Sequence, residues 1–152
     1  MSMVRRFPKN IRGRDFAVGD IHGCVTKLAE AIDAIGFDPA IDRLFSVGDL
    51  VDRGPESERF EELLALPWFH AVQGNHEDMA IRWPNGNMDF GNYCANGGQW
   101  NATSMPDQCR LRADALAALP IAIEVETNDG VVGIVHADVP GSDWPSFVAS
   151  LG

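Results

Sequence analysis

A chain of 152 residues with 45 % hydrophobic and 22 % charged residues can bury the core of one ordinary globular domain. Twelve basic against 22 acidic residues give a net charge of −10, which argues against a nucleic-acid backbone as partner, and no apolar run is long enough to span a membrane. The first ten residues lack the apolar stretch of an export signal, and three cysteines at unrelated spacings (Cys24, Cys94, Cys109) suit a reducing cytoplasm better than a disulfide framework.

Residues 1–15, with Arg5, Arg6 and Lys9, read as a flexible basic arm ahead of a domain occupying 16–152. Phe16-Ala17-Val18 reads as a strand, followed by a helix whose apolar face is Val25, Leu28, Ala29, Ile32 and Ile35, with Gly36 at its C′ position. A second strand over 43–47 leads to a loop and to a helix started near Pro55, carrying Phe60, Leu63 and Leu64 and stopped by Pro67. A third strand over 69–73 runs into a short helix ending near Trp83-Pro84. Strands alternating with helices at this interval imply a parallel sheet with right-handed crossovers. Residues 84–106 are polar and rich in Asn-Gly turns; Leu111, Ala115, Leu116 and Leu119 suggest a helix up to Pro120. A hairpin follows over 121–135 with its turn at Asn128-Asp129-Gly130, and residues 140–152 show little pattern.

Four strand ends carry residues of metal-ligand type: Asp20 and His22, Asp49, Asn75, and His136. Ligands bind at the carboxyl ends of strands in open α/β sheets, so these loops predict one shared site. A carboxylate with an imidazole suits Mn²⁺, Fe or Zn²⁺. Asp20, His22 and Asp49 are expected to hold one ion and Asp49, Asn75 and His136 a second, with Asp49 bridging. Two dications less Asp20, Asp49 and a bridging hydroxide leave about +1, which favours an anionic phosphate ester. Arg53 offers a planar fork matched to phosphate oxygens. His76 is placed to protonate a leaving alkoxide, with Asp52 to orient it. The chemistry expected is in-line attack of metal-bound hydroxide on phosphorus. His70, inside the third strand, reads as an ordinary buried residue, Cys24 as a small helix-start hydrophobe, and the four tryptophans as core or pocket wall.

Gly-Asp-Ile-His-Gly (19–23), Gly-Asp-Leu-Val-Asp-Arg-Gly (48–54), Gly-Asn-His-Glu (74–77) and His-Ala-Asp (136–138) resemble the motifs of the serine/threonine phosphoprotein phosphatases, in their bacteriophage and bacterial branch. The resemblance implies an α/β fold, the calcineurin-like metallophosphoesterase β-sandwich flanked by helices. It implies the same ligands, two divalent ions with Mn²⁺ the usual activator, His76 as general acid, Asp52 as its partner, Arg53 on phosphate, and a phosphoprotein or phosphopeptide as substrate. Symmetrical diadenosine tetraphosphate hydrolases resemble the chain too, but tend to carry Ala where Asp52 stands and Asp where Glu77 stands. The resemblance also implies a second phosphate-binding arginine and one more histidine ligand beyond Asp138, where this chain has neither. The expectation is therefore a domain cut short at its C-terminal end, a weakened second metal site, and an unpaired sheet edge open to a second copy. A nucleotide phosphoesterase and an inactive metal-binding fragment stand as the rival readings.

Overall fold

The computed structural model describes residues 3–141 and 143–152. Among these residues six strands form two three-stranded sheets. One sheet is all parallel in the order β2 (Asp15–Val18), β3 (Arg43–Ser46), β4 (Phe69–Ala71). In the other, β1 (Val4–Phe7) runs parallel to β5 (Ala122–Thr127), which pairs antiparallel with β6 (Gly130–Ile134). Side chains alternate across each strand, and the alternation sorts the core into layers. Phe45 and Val72 from the first sheet meet Ile123, Val125 and Ile134 from the second, with Phe7 packed against them, and this is the sandwich interior.

The outer face of the first sheet is covered by α1 (Val25–Ala34), α2 (Phe60–Leu64), α3 (Asn75–Arg82) and α6 (Pro106–Ala117), through a core that includes Leu28, Leu44, Phe60, Phe69, Ala80 and Leu116. The second sheet is covered by α7 (Trp144–Ser150), whose Phe147 packs with Val4 and Ala122. Gly133 makes that docking possible: a Cβ there would lie 2.5 Å from the Trp144 ring. The indole N–H of Trp144 then donates to Glu124 Oε1 at 2.9 Å.

Four expectations need correction. The basic arm is not a loose tail, since Val4–Phe7 forms β1 along one side of β5. Its physical reason is the alternation Val4 outward, Phe7 inward, with Arg6 paired to Glu124 at 2.7 Å on the neighbouring strand. Residues 8–14 are fixed as well, because the buried Asp42 carboxylate accepts from the Arg14 backbone N–H and guanidinium, each at 2.7 Å, and the guanidinium holds its carboxyl at about 2. The turn-rich stretch 84–106 contains α4 (Phe90–Ala95) and α5 (Gln99–Ala102), two helices too short to show a hydrophobic period. Residues 144–150 are helical, started by the Asp143 side chain accepting from Ser146 N–H at 2.9 Å. Leu111 is exposed and stands outside the apolar face of α6, which is Cys109, Ala113 and Leu116.

His70 lies in the sandwich interior, its ring 4.3 Å from that of Phe7 and 5.2 Å from that of Phe45. Burial, helped by Arg5 and Arg43, lowers its pKa from 6.5 to about 4. The unfolded chain therefore takes up this proton first, so the contribution of His70 is fully favourable above about pH 6.5 and is lost as pH falls towards 4. Urea denaturation at a series of pH values should show stability falling between pH 6.5 and 4.5, and His70→Phe should flatten that slope.

Candidate metal centre and active site

Because β2, β3 and β4 are parallel, their carboxyl ends line one edge of the sheet, and the loops leaving them carry Asp20 and His22, Asp49 to Arg53, and Asn75 with His76. Asp49 ties the three loops together. Its carbonyl accepts from the backbone N–H groups of Ile21 at 3.0 Å and His22 at 2.8 Å. Its own N–H donates to Glu77 Oε2 at 2.8 Å, and its Oδ1 accepts from the His76 backbone N–H at 3.0 Å, at the first turn of α3. The free amides at a helix start favour a carboxylate there. What remains is Oδ2, with the Nε2 atoms of His136, His22 and His76 at 3.5, 3.7 and 3.9 Å. The four non-glycine residues with left-handed backbone, among the described residues, are His22, Asp49, Asp52 and Arg53. Each such conformation costs about 1–2 kcal/mol, and strain of this kind collects where geometry is needed for function.

The imidazoles are aimed by main-chain carbonyls. His22 Nδ1 lies 3.0 Å from the Val51 carbonyl and His136 Nδ1 lies 2.8 Å from the Val47 carbonyl. A carbonyl only accepts, so Nδ1 carries the proton and each Nε2 turns a lone pair into the site. Asp20 Oδ2 stands 3.9 Å from His22 Nε2, and Asn75 Oδ1 stands 2.9 Å from His136 Nε2. Lone pairs facing one another repel unless a cation lies against both. Asp20, Asp49 and His136 have ligand atoms within 4.8 Å of one another, as do His22, Asp49 and His76, so the donor set fits divalent ions.

Behind this mixed group lies a fully buried pair. His76 Nδ1 sits 2.8 Å from Asp52 Oδ2, and both side chains are 0 % exposed. Among the described residues His76 Nε2 is the one buried side-chain polar atom without a partner, and it faces Asp49. Arg53 is exposed and its guanidinium reaches His22 Nε2 at 3.2 Å.

All eight residues expected at the site thus come to one place. Two others were given no role at the site. Glu77 is buried and accepts three backbone N–H bonds at 2.7–2.8 Å, from Gly74, Asp49 and Leu50, so it fastens the second loop to the third. Burial raises its pKa, with the three amides opposing. The signal was available as a Glu at the third position of a helix, the place from which a carboxylate caps the first turn. Trp100 donates its indole N–H to Asp52 Oδ1 at 2.7 Å, a contact that no sequence spacing announces. A cavity of about 490 Å³ lined by Val4, His70 and Leu119 among others shares no residue with the site.

The calcineurin-like phosphoesterase family model matches residues 16–144. Serine/threonine-protein phosphatase 2 of Escherichia coli is 42 % identical over 136 residues, covering 85 % of this chain and 60 % of the relative. Serine/threonine-protein phosphatase 1 of Salmonella typhimurium is 39 % identical, with 85 % of this chain and 61 % of the relative covered. A symmetrical bis(5'-nucleosyl)-tetraphosphatase of Pseudomonas putida is 40 % identical over 78 residues, 46 % of this chain and 25 % of the relative. Among solved structures, that of a candidate diadenosine tetraphosphatase superposes with a TM-score of 0.69 at 29 % identity, over 91 % of this chain and 56 % of the other. The chain belongs to the calcineurin-like phosphoesterases. It spans about 60 % of the length of the curated phosphatases it matches.

Two substitutions test how the loops are held. A Cβ at Gly74 would lie 2.1 Å from Asp49 Oδ1, so Gly74→Ala should displace the carboxylate and weaken divalent-ion binding, followed by calorimetry, about 10-fold or more. Glu77→Gln sets an amide NH₂ against backbone donors in the core and should lower stability in urea by about 3 kcal/mol.

Proposed function

We propose that the protein is a divalent-metal phosphatase hydrolysing phosphate monoesters, with a phosphoserine or phosphothreonine peptide as substrate. The observation that carries this reading is the buried Asp52–His76 pair, whose unpartnered Nε2 faces the same carboxylate oxygen as two inward-turned imidazoles. Asp20, His22 and Asp49 would hold one ion and Asp49, Asn75 and His136 the other, with Mn²⁺ the expected metal and Fe or Zn²⁺ compatible with the same donors. When bound, the ions supply Lewis acidity and positive charge at phosphorus. The protein's own groups do the rest. Arg53 offers two parallel N–H bonds to phosphate oxygens and would leave His22 to do so. His76, held by Asp52, carries a proton on Nε2 to the leaving oxygen.

The long alignments to phosphatases from Escherichia coli and Salmonella typhimurium support the protein-phosphatase reading, as does an Asp at position 52. A second reading, hydrolysis of dinucleoside polyphosphates, is favoured by the structural likeness to a candidate diadenosine tetraphosphatase. Relative turnover of a phosphopeptide and of diadenosine tetraphosphate separates the two. With Mn²⁺, the protein should hydrolyse an aryl phosphate, and His76→Asn or Asp49→Asn should each lower kcat about 10²-fold or more; unchanged turnover in both would remove the site. Calorimetric titration should find one tight and one loose Mn²⁺ per chain.

The same proposal covers surroundings. Among the described residues no helix is long and apolar enough to cross a membrane, and three free thiols fit a reducing cytoplasm. Val131 and Val132, 59 % and 49 % exposed on β6 at the end of its sheet, offer an edge for a second copy. Sedimentation equilibrium at micromolar concentration should show a dimer that Val131→Lys disrupts; a wild-type monomer would discard the pairing.

A further inference from the structure

We propose that Trp100 is a positioning residue for the Asp52–His76 pair, and that Arg112 holds the indole where Asp52 needs it. The inference rests on the phosphomonoesterase reading given above. A carboxylate at 0 % exposure needs both oxygens satisfied, because no water reaches it. Among the described residues Asp52 has one partner per oxygen: His76 Nδ1 on Oδ2 at 2.8 Å and the Trp100 indole N–H on Oδ1 at 2.7 Å. An indole can only donate and does not titrate in the working range of the protein. Trp100 therefore fixes Asp52 as an acceptor on Oδ1 and leaves Oδ2 to take the Nδ1–H of His76. That assigns the ring's second nitrogen, Nε2, to the reacting side.

The indole is itself built in. The Arg112 guanidinium lies 4.7 Å over its ring, and Arg112 is fixed by Asn101 Oδ1 at 3.1 Å and Ser104 Oγ at 2.9 Å. The Phe60 ring also stands edge-on to it at 6.4 Å. The segment bearing Trp100 is pressed against the Asp52 loop: Gly97 has φ +93, and a Cβ there would lie 2.4 Å from the Arg53 backbone nitrogen. Residues 97–100 thus abut the Asp52 loop and deliver its second donor.

In the step concerned, the oxygen of water bonds to phosphorus while the bond from phosphorus to the ester oxygen breaks, its electron pair leaving on that oxygen. The ester oxygen takes the proton from His76 Nε2, the proton lost by water goes to solvent, and alcohol and inorganic phosphate result. Asp52 accepts on both oxygens and Trp100 keeps its N–H throughout. Proton donation matters most when the leaving oxygen is strongly basic, so loss of Trp100 has a signature that general loosening lacks.

The test replaces Trp100 by Phe, and separately by 3-benzothienylalanine, which keeps the ring and deletes the N–H; thermal melting checks that each is folded. With Mn²⁺, kcat on an alkyl phosphate should fall about 10- to 100-fold, the range expected for one hydrogen bond to a charged group, while kcat on 2,4-dinitrophenyl phosphate changes less than about 3-fold and KM stays within about 2-fold. Arg112→Met should show the same ordering with smaller losses. Equal losses on both esters, or none, overturn the proposal. A second arm needs no turnover: in the metal-free protein the Trp100 indole N–H should resonate far downfield and move upfield in Asp52→Asn, and a resonance that ignores Asp52 also overturns it. If wild type hydrolyses no monoester but the indole follows Asp52, the hydrogen bond stands and the phosphatase reading is what fails.

Discussion

The site depends on how completely one carboxylate is captured. Every polar atom of Asp49 except Oδ2 is committed: the carbonyl to Ile21 and His22, the N–H to Glu77, and Oδ1 to the start of α3. These bonds join three loops that are far apart in sequence, and they force a left-handed backbone on an aspartate. The stitching and the aim are one arrangement, since the bonds that hold the loops together also leave Oδ2 as the group the imidazoles surround. A carboxylate held this way is paid for by main-chain strain of about 1–2 kcal/mol, which neighbouring bonds must offset.

Polarity changes in steps across this small region. Asp52, His76 and Glu77 are buried, His22 and His136 are half-buried, and Asp20, Arg53 and Asn75 are exposed. Under the proposed function, proton donation by His76 would gain from burial, because hydrogen bonds within the pair are stronger where water is excluded. Phosphate capture by Arg53 would need the opposite, an accessible cation at the mouth. The net charge of −10 is no obstacle to an anionic substrate, because in cellular salt a charge is felt over roughly 8 Å and the local set decides.

Much of this was legible in the chain. Strand, loop and helix in repeated order announced the parallel sheet, and glycines around acidic and histidine residues at strand ends marked the residues that gather at the candidate site. Local signals sufficed because each loop follows directly from its own strand. What stayed hidden was produced by pairing across long separations. Val4–Phe7 has the basic composition of a tail, and only β5, more than a hundred residues later, makes it a strand. Trp100 sits in a segment whose helices are too short to carry a period, and its partner Asp52 lies 48 residues away. Glu77 had a readable position as a helix cap, but its reach to Asp49 and Leu50 depends on how two loops pack.

The two halves of the donor set are not built alike. Asp20, His22 and Asp49 come from adjacent parallel strands, and backbone hydrogen bonds join their loops directly. His136 comes from the other sheet, just past β6, and its ring donates Nδ1–H to the Val47 carbonyl while Nε2 faces Asn75 Oδ1 across the candidate site. Its position otherwise depends on Phe45 and Val72 packing against Ile123, Val125 and Ile134. Apolar contact sets distance but is non-directional, so it fixes a ligand less tightly than a stitched loop does. The first half is therefore preformed by the parallel sheet, whereas the second requires both sheets to be docked. Since β1 forms one side of the sheet that carries His136, the N-terminal residues help to hold a ligand at the far end of the chain.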